Sequence, residues 1–310
     1  MRRRNRLLFV LVIAASAICA AQEPSQLTLK VGVDLVNVLF TVTDRQGRLV
    51  SGLTRADFAV EEDGRKQDIL HFSSENELPL RLAIVIDTSP SVQPVFGAEK
   101  RTAISFLRSI VRPRDLALVI GFDRSVILMT DLTESPRRLV AAINDLKIGG
   151  GTSLYDAVYL AAHGELATES GRKAIILISD GEDTSSKLHL KDAIVAAHQS
   201  DSVVYSIFNS VRGRSNRRKG LSTLRTLSQE TGGGVFELDR DINFQPIFDQ
   251  ISRELRSQYS IGYKSTNTNR DGKYRQIRIV PKNSRLHIQA RKGYYAPREG
   301  IAQKTNELSE

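Results

Sequence analysis

Oxygen-bearing side chains gather at three separated places in this chain: Asp87-Thr88-Ser89-Pro90-Ser91, Gly149-Gly150-Gly151-Thr152 and Ser179-Asp180-Gly181. Ser89 and Ser91 follow Asp87 at alternate positions, so an extended loop would point the three oxygens one way. Pro90 fixes its own φ and biases Ser89 to extended backbone, which makes that loop stiff. Two carboxylates (Asp87, Asp180) and three hydroxyls (Ser89, Ser91, Thr152) suit a hard cation such as Mg²⁺, or Mn²⁺ or Ca²⁺ in its place. Mg²⁺ takes oxygen ligands at roughly 2.0–2.1 Å in near-octahedral geometry and usually keeps several waters. Because three of the five ligands are neutral, the ion would retain positive charge and an open coordination position. An Asp or Glu carboxylate of a partner protein could fill it. The five histidines (71, 163, 189, 198 and 287) are scattered and the single cysteine is Cys19, so a zinc site of ordinary spacing is not supported.

The elements that must hold these oxygens are legible on either side. Leu82–Ile86 and Lys173–Ile178 are nearly continuous aliphatic runs, the pattern of strands buried on both faces of a parallel sheet. Each run leads into an aspartate, and ligands of an open α/β sheet bind beyond the carboxyl ends of its strands. Further strands are predicted at Leu116–Phe122, Val126–Leu132, Val203–Phe208 and Val235–Leu238. Helices are predicted at 136–146, capped by Ser135 with Pro136 in the first turn, at 243–257, and directly after Thr152. Outside this region the periodicity changes to two. Residues 27–42 alternate as two half-buried strands with a register change near Asp34, and Phe58, Val60, Ile69 and Phe72 supply further positions. The alternation returns at Tyr274–Ile279 and Leu286–Ala290. The expected architecture is therefore α/β: a Rossmann-like, doubly wound, mostly parallel sheet over 80–263, inserted in a small discontinuous immunoglobulin-like β-sandwich built from 25–78 plus 264–297. Residues 298–310 read as a flexible tail.

Asp-x-Ser-x-Ser, a Gly-Thr loop and Ser-Asp-Gly, in that order, resemble the metal-ion-dependent adhesion site of von Willebrand factor type A domains. The resemblance implies a metal role for Asp87, Ser89, Ser91, Thr152 and Asp180, the last acting through water. It spans about residues 80–263. The phrases Val50-Ser51-Gly52-Leu53-Thr54-Arg55-Ala56-Asp57-Phe58, Glu62-Asp63-Gly64 and Ala290-Arg291-Lys292-Gly293-Tyr294-Tyr295-Ala296-Pro297 resemble bacterial secreted proteins related to the same family, which extends the likeness over most of the chain.

Composition bounds the address and the chemistry. Arg2, Arg3, Arg4 and Arg6 precede an apolar run from Leu7 to Ile18, followed by Ala20 and Ala21. This reads as a secretory signal over 1–21, too short for the ~20 apolar residues of a spanning helix. The product would be secreted or periplasmic, with no membrane span in the mature chain. Cleavage removes four arginines and no acid from a formal charge of +9, and it removes Cys19, so the remainder could form no disulfide.

Arg212, Arg214, Arg217, Arg218 and Lys219 read as a basic loop at 212–219 on the metal side, able to steer an acidic partner. Nucleic acid is disfavoured because no aromatic residues interleave these charges. Enzyme function is disfavoured too. Asp87-Thr88-Ser89 lacks the second aspartate of an Asp-x-Asp phosphatase pattern, no Gly-x-Ser-x-Gly elbow occurs, and no histidine neighbours the site in sequence. A protein-binding module is the leading expectation, with an assembly component of a cell-envelope complex as the alternative.

Overall fold

A computed structural model describes residues 35–74, 78–209, 214–237 and 245–298. Residues 1–21, read above as a secretory signal, the strand read over 27–33, Arg212 and nearly all of the tail lie outside the described residues.

Among the described residues four strands come first: β1 (Leu35–Thr43), β2 (Phe58–Glu62), β3 (Arg65–Gln67) and β4 (Ile69–Ser73). Six more follow with helices between them. These are β5 (Leu80–Asp87), β6 (Leu116–Phe122), β7 (Val126–Thr133), β8 (Arg172–Ser179), β9 (Ser202–Phe208) and β10 (Val235–Glu237). The helices are α1 (Phe96–Ile110), α2 (Pro136–Asp145), α3 (Leu154–Tyr159), α4 (Leu190–Gln199), α5 (Arg214–Thr231) and α6 (Gln245–Arg256). The chain closes with β11 (Tyr259–Lys264), β12 (Tyr274–Pro281), β13 (His287–Ala290) and β14 (Gly293–Tyr295).

The central sheet runs β10-β9-β8-β5-β6-β7, parallel except for β7, which is antiparallel to β6. Its strands obey the period of two. Leu82, Ile84 and Ile86 face α1, α2 and α6, whereas Ala83 and Val85 face α3, α4 and α5. Both faces are covered, as parallel strands require. The predicted helix after Ser135 is present as α2, and the Ser135 hydroxyl accepts from Arg138 N. The helix after Thr152 is α3, which continues as a π-helical turn over Leu160–Leu166.

Two four-stranded sheets, β13-β1-β11-β4 and β14-β12-β2-β3, enclose a separate apolar core. Each draws strands from both ends of the chain. Phe40, Phe58, Phe72 and Tyr259 stack at its centre, Phe40 meeting Phe58 edge-on at 5.1 Å between ring centroids. The sequence reading placed residue 263 within the α/β segment, but Tyr259–Lys264 pairs antiparallel with both β1 and β4 and so belongs to this sandwich. Its alternate buried residues Tyr259, Ile261 and Tyr263 carry the strand signal. The boundary was displaced because α6 reads straight into them.

Asp115, buried before β6, holds the two chain crossings between sandwich and central sheet. Its carboxylate accepts from Leu80 N at 2.7 Å and Arg112 N at 2.9 Å, and it pairs with the Arg256 guanidinium. Arg291 makes a second attachment, donating to Asn37 O, to His198 O at 3.3 Å and to Asp201 Oδ1 at 3.2 Å. Among the described residues no helix is long and apolar enough to cross a membrane.

Phe106 of α1 and Phe248 of α6 are fully buried and stack at 4.2 Å. Truncating a buried aromatic forfeits its transfer free energy and leaves a cavity. Phe106→Ala should therefore destabilise the protein by about 3–5 kcal/mol, read as a lowered denaturant midpoint in equilibrium unfolding.

Candidate functional site

β5 and β8 are neighbours, yet the chain passes from β5 to β6 on one side and from β8 to β9 on the other, and the crevice at their carboxyl ends is the usual ligand position of such a topology. Asp87 ends β5 and is fully buried. Its Oδ2 accepts from Ser179 Oγ at 2.6 Å, and its Oδ1 accepts from Ser89 N at 2.8 Å. Ser89 is extended, but Pro90–Val92 then forms a single 3-10 turn rather than the extended loop expected. That turn brings Ser89 Oγ and Ser91 Oγ within 2.8 Å of each other. The hydroxyls converge by curvature instead of by alternation.

Thr152 reaches the same edge through backbone ties. Gly149 N donates to Thr88 O at 2.9 Å, and Thr152 O accepts from Thr184 N and Ser185 N, both at 2.9 Å. The Thr152 hydroxyl makes no hydrogen bond among the described residues, although the residue is only 4% exposed. Asp180 is equally buried, and its Oδ1 accepts from Glu182 N at 3.1 Å. Asp87, Ser89 and Ser91 are thus linked directly, while Thr152 and Asp180 are placed by their loops.

Burial pushes the Asp87 carboxyl up to about 6; hydrogen bonds from Ser179 and Ser89 oppose this, and the charge of Asp180 adds to it. A third acid escaped the sequence reading. Glu99, on α1, is fully buried, and burial pushes it up to about 8, with Asp87 and Asp180 contributing. Its Oε1 accepts from Asn209 Nδ2, and its Oε2 has no partner among the described residues. Asn209 sits at the end of β9, its N–H donating to Ser179 O at 3.1 Å, so it too belongs to this edge. The signal was available: Glu99 continues the apolar stripe Ala103, Phe106, Leu107 and Ile110 one turn toward the amino terminus, where a carboxylate is out of place.

Asp156 and Asp183, the other acids near the Gly-Thr and Ser-Asp-Gly fragments, serve the loops. Asp183 Oδ1 accepts from Leu154 N at 2.9 Å and caps α3, while Asp156 accepts from Lys187 N and Leu188 N at 3.0 and 2.9 Å. A glycine pair closes the edge. A Cβ on Gly220 would lie 2.0 Å from the Asp180 carbonyl oxygen, and one on Gly181, whose φ is +74°, would lie 2.3 Å from that of Gly220. Helix α5 can pack on the Ser-Asp-Gly turn only because neither residue has a side chain. Arg217, Arg218 and Lys219 therefore lie on a helix, not on the loop expected from their charge.

These donors fit a hard cation. Among the described residues no three His, Cys, Asp or Glu side chains form a metal-holding group, so hydroxyl oxygens would have to complete any ligand set. Neutral hydroxyls and buried, mutually repelling carboxylates are the donor chemistry that such an ion accepts. Asp87, Ser89, Ser91, Thr152 and Asp180 would hold it, and Glu99, whose Oε2 has no partner among the described residues, would stand close by.

Residues 82–182 match the family model of the von Willebrand factor type A domain. No curated protein matches the chain in sequence. Solved structures similar to it include an aerotolerance-related membrane protein from Bacteroides fragilis, at 19% identity and TM-score 0.46, covering 56% of this chain and 99% of that one. The vWF domain of the type V pili tip protein Mfa5 from Porphyromonas gingivalis gives 14% identity and TM-score 0.47, covering 57% and 94%. Proximal thread matrix protein 1 from the mussel byssus, with a zinc-occupied MIDAS motif, gives 15% and 0.49, covering 61% and 48%.

The raised acids predict a pH effect of defined sign. A group whose folded value exceeds its unfolded value stabilises the fold at low pH, and that stability is lost as pH rises through the folded value. Glu99 titrates from a free value of 4.5 to about 8 in the fold. His198, lowered by burial to about 4, has the opposite sign but acts below its free value of 6.5. In EDTA the melting temperature should therefore fall between pH 6.5 and 8, and Glu99→Gln should flatten that fall in a thermal-shift titration.

Proposed function

We propose that the segment carrying the type A match is a protein-binding module. It holds a divalent cation, Mg²⁺ or else Mn²⁺ or Ca²⁺, with Asp87, Ser89, Ser91, Thr152 and Asp180, and captures an acidic residue of a partner there. The observation that carries this reading is the meeting of the Ser89 and Ser91 hydroxyls, 2.8 Å apart, beside a fully buried Asp87 carboxyl. The match over residues 82–182 supports it independently.

Each residue has a task within this reading. Asp87 contributes charge from a fixed position, since Ser179 and the Ser89 amide hold its carboxylate from two sides. Ser89, Ser91 and Thr152 contribute neutral oxygens, which leave charge over for an incoming carboxylate. Asp180, held by Glu182 N, adds its negative charge through water. A bound dication would supply an electrophilic position open to solvent, which is binding chemistry unless a base stands beside it. The acids Asp156 and Asp183 are committed to backbone amides, so neither is offered as that base.

The residues from β5 to α6 are read as a domain inserted in the sandwich, and the arginine-led segment 1–21 as its export signal, which places the module in the periplasm or outside the cell. There it would meet protein partners rather than nucleic acid.

Two outcomes test this. Mg²⁺ at a hundredfold excess over its dissociation constant should raise the melting temperature of the wild type by about 5 °C or more, and Asp87→Ala should abolish the rise. Identical melting of both proteins in Mg²⁺ and in EDTA would remove the cation from the reading. In a pull-down from the cell-envelope fraction, a polypeptide should be retained by the wild type in Mg²⁺ and lost with EDTA or Asp87→Ala.

A further inference from the structure

Charge around the site edge is unevenly engaged. Among the described residues, exposed cations that stand there include Arg124, Lys187, Arg218 and Lys219. Arg124 adjoins the Gly-Thr loop. Its carbonyl accepts from Ser153 Oγ at 2.8 Å, and a Cβ on Gly151 would lie 3.2 Å from its own Cβ. Lys187 follows Thr184 and Ser185, the residues that donate to Thr152 O. Arg218 and Lys219 directly precede Gly220, which packs on the Asp180 carbonyl. None of the four forms an ion pair among the described residues.

Their neighbours differ. Arg217 is bound to Glu237 at 2.9 Å and lies over the Phe208 ring at 5.0 Å, and Arg225 also reaches Glu237, at 3.8 Å. The acids of the edge are occupied as well. Asp123 Oδ1 accepts from Ser125 N at 2.7 Å, Asp156 and Asp183 are held by amides, and Glu182 has a partner of its own. Buried acids thus lie inside a rim of unpaired, solvated cations. Such cations attract anions at a range set by ionic strength and add modest affinity through each exposed pair.

We propose that the partner presents an acidic peptide segment, in which the carboxylate that reaches the site is flanked by further Asp or Glu residues. Arg124 and Lys187 receive the flank beside the Gly-Thr loop, and Arg218 and Lys219 the flank beside the Ser-Asp-Gly turn. The proposal rests on the cation-dependent reading of the site and adds to it the composition of the bound sequence.

The test uses the full chain and two fluorescent peptides of equal length, each with one central Asp, flanked in one by Gly and Ser and in the other by Glu. Dissociation constants are measured in Mg²⁺. At about 50 mM salt the Glu-flanked peptide should bind about tenfold more tightly, and the advantage should vanish near 500 mM. The double variants Arg218→Ala with Lys219→Ala, and Arg124→Ala with Lys187→Ala, should each lose part of that advantage while binding the Gly-Ser peptide as the wild type does. Equal binding of both peptides at low salt overturns the rim proposal and leaves the site reading intact. Failure of both peptides to bind in Mg²⁺ overturns the site reading and the proposal with it. Tighter binding of the Glu-flanked peptide that survives Asp87→Ala supports the rim and removes the cation. Displacement by a sulfated oligosaccharide of equal charge as readily as by unlabelled peptide would overturn the assignment to peptide.

Discussion

Three carboxyl groups, those of Asp87, Glu99 and Asp180, are buried together at one edge of a parallel sheet; burial raises the first two, and the charge of Asp180 adds to the rise of both. Like charges brought out of solvent repel more strongly than at a surface, and each also forfeits hydration. Protein donors offset this only in part. Ser179 and the Ser89 amide reach Asp87, Asn209 reaches Glu99 and the Glu182 amide reaches Asp180, but one oxygen of Glu99 receives nothing. The burial of Asp87 and Glu99 and the repulsion between Asp87 and Asp180 are thus only partly compensated by protein donors.

The fold supplies such an edge at low conformational cost. A parallel strand buried on both faces must end by turning away from its sheet, and β5 and β8 end side by side with their polar residues at the turn. The loops that follow are short and joined to one another, Gly149 to Thr88 and Thr184 and Ser185 to Thr152. Asp156 and Asp183 spend their charge on these joints. The geometry of the oxygens is thus inherited from backbone hydrogen bonds, which are less adaptable than side-chain rotamers.

Much of this was legible in the sequence for a physical reason. Strands buried on both faces, such as Leu80–Asp87 and Arg172–Ser179, are built on nearly continuous aliphatic stretches, Leu82–Ile86 and Ala174–Ile178, which stand out from the polar segments that follow them. The oxygen fragments followed because polar residues directly after such runs are conspicuous. What stayed hidden was tertiary. Glu99 and Asn209 become partners only once α1 lies across the end of β9, and Gly220 matters only because α5 approaches the backbone of Asp180. The helix at Arg214–Thr231 was hidden by its composition, since clustered arginines in a polar context read as loop, while Leu221, Leu224 and Leu227 are its apolar residues in the core. The sandwich boundary was displaced at β11, where helix periodicity and strand alternation adjoin across Ser257 and Gln258.

The two crossings between sandwich and central sheet meet at Asp115, and the strands they connect, β4 and β11, are hydrogen-bonded neighbours. The chain thus leaves the sandwich from one strand and returns to the adjacent one, with a single buried carboxylate fastening both ends of the excursion. Topologically the stretch from Leu80 to Arg256 is almost a closed ring. Its two ends are therefore held at one place, and a circular permutation that joined them would need only a short linker.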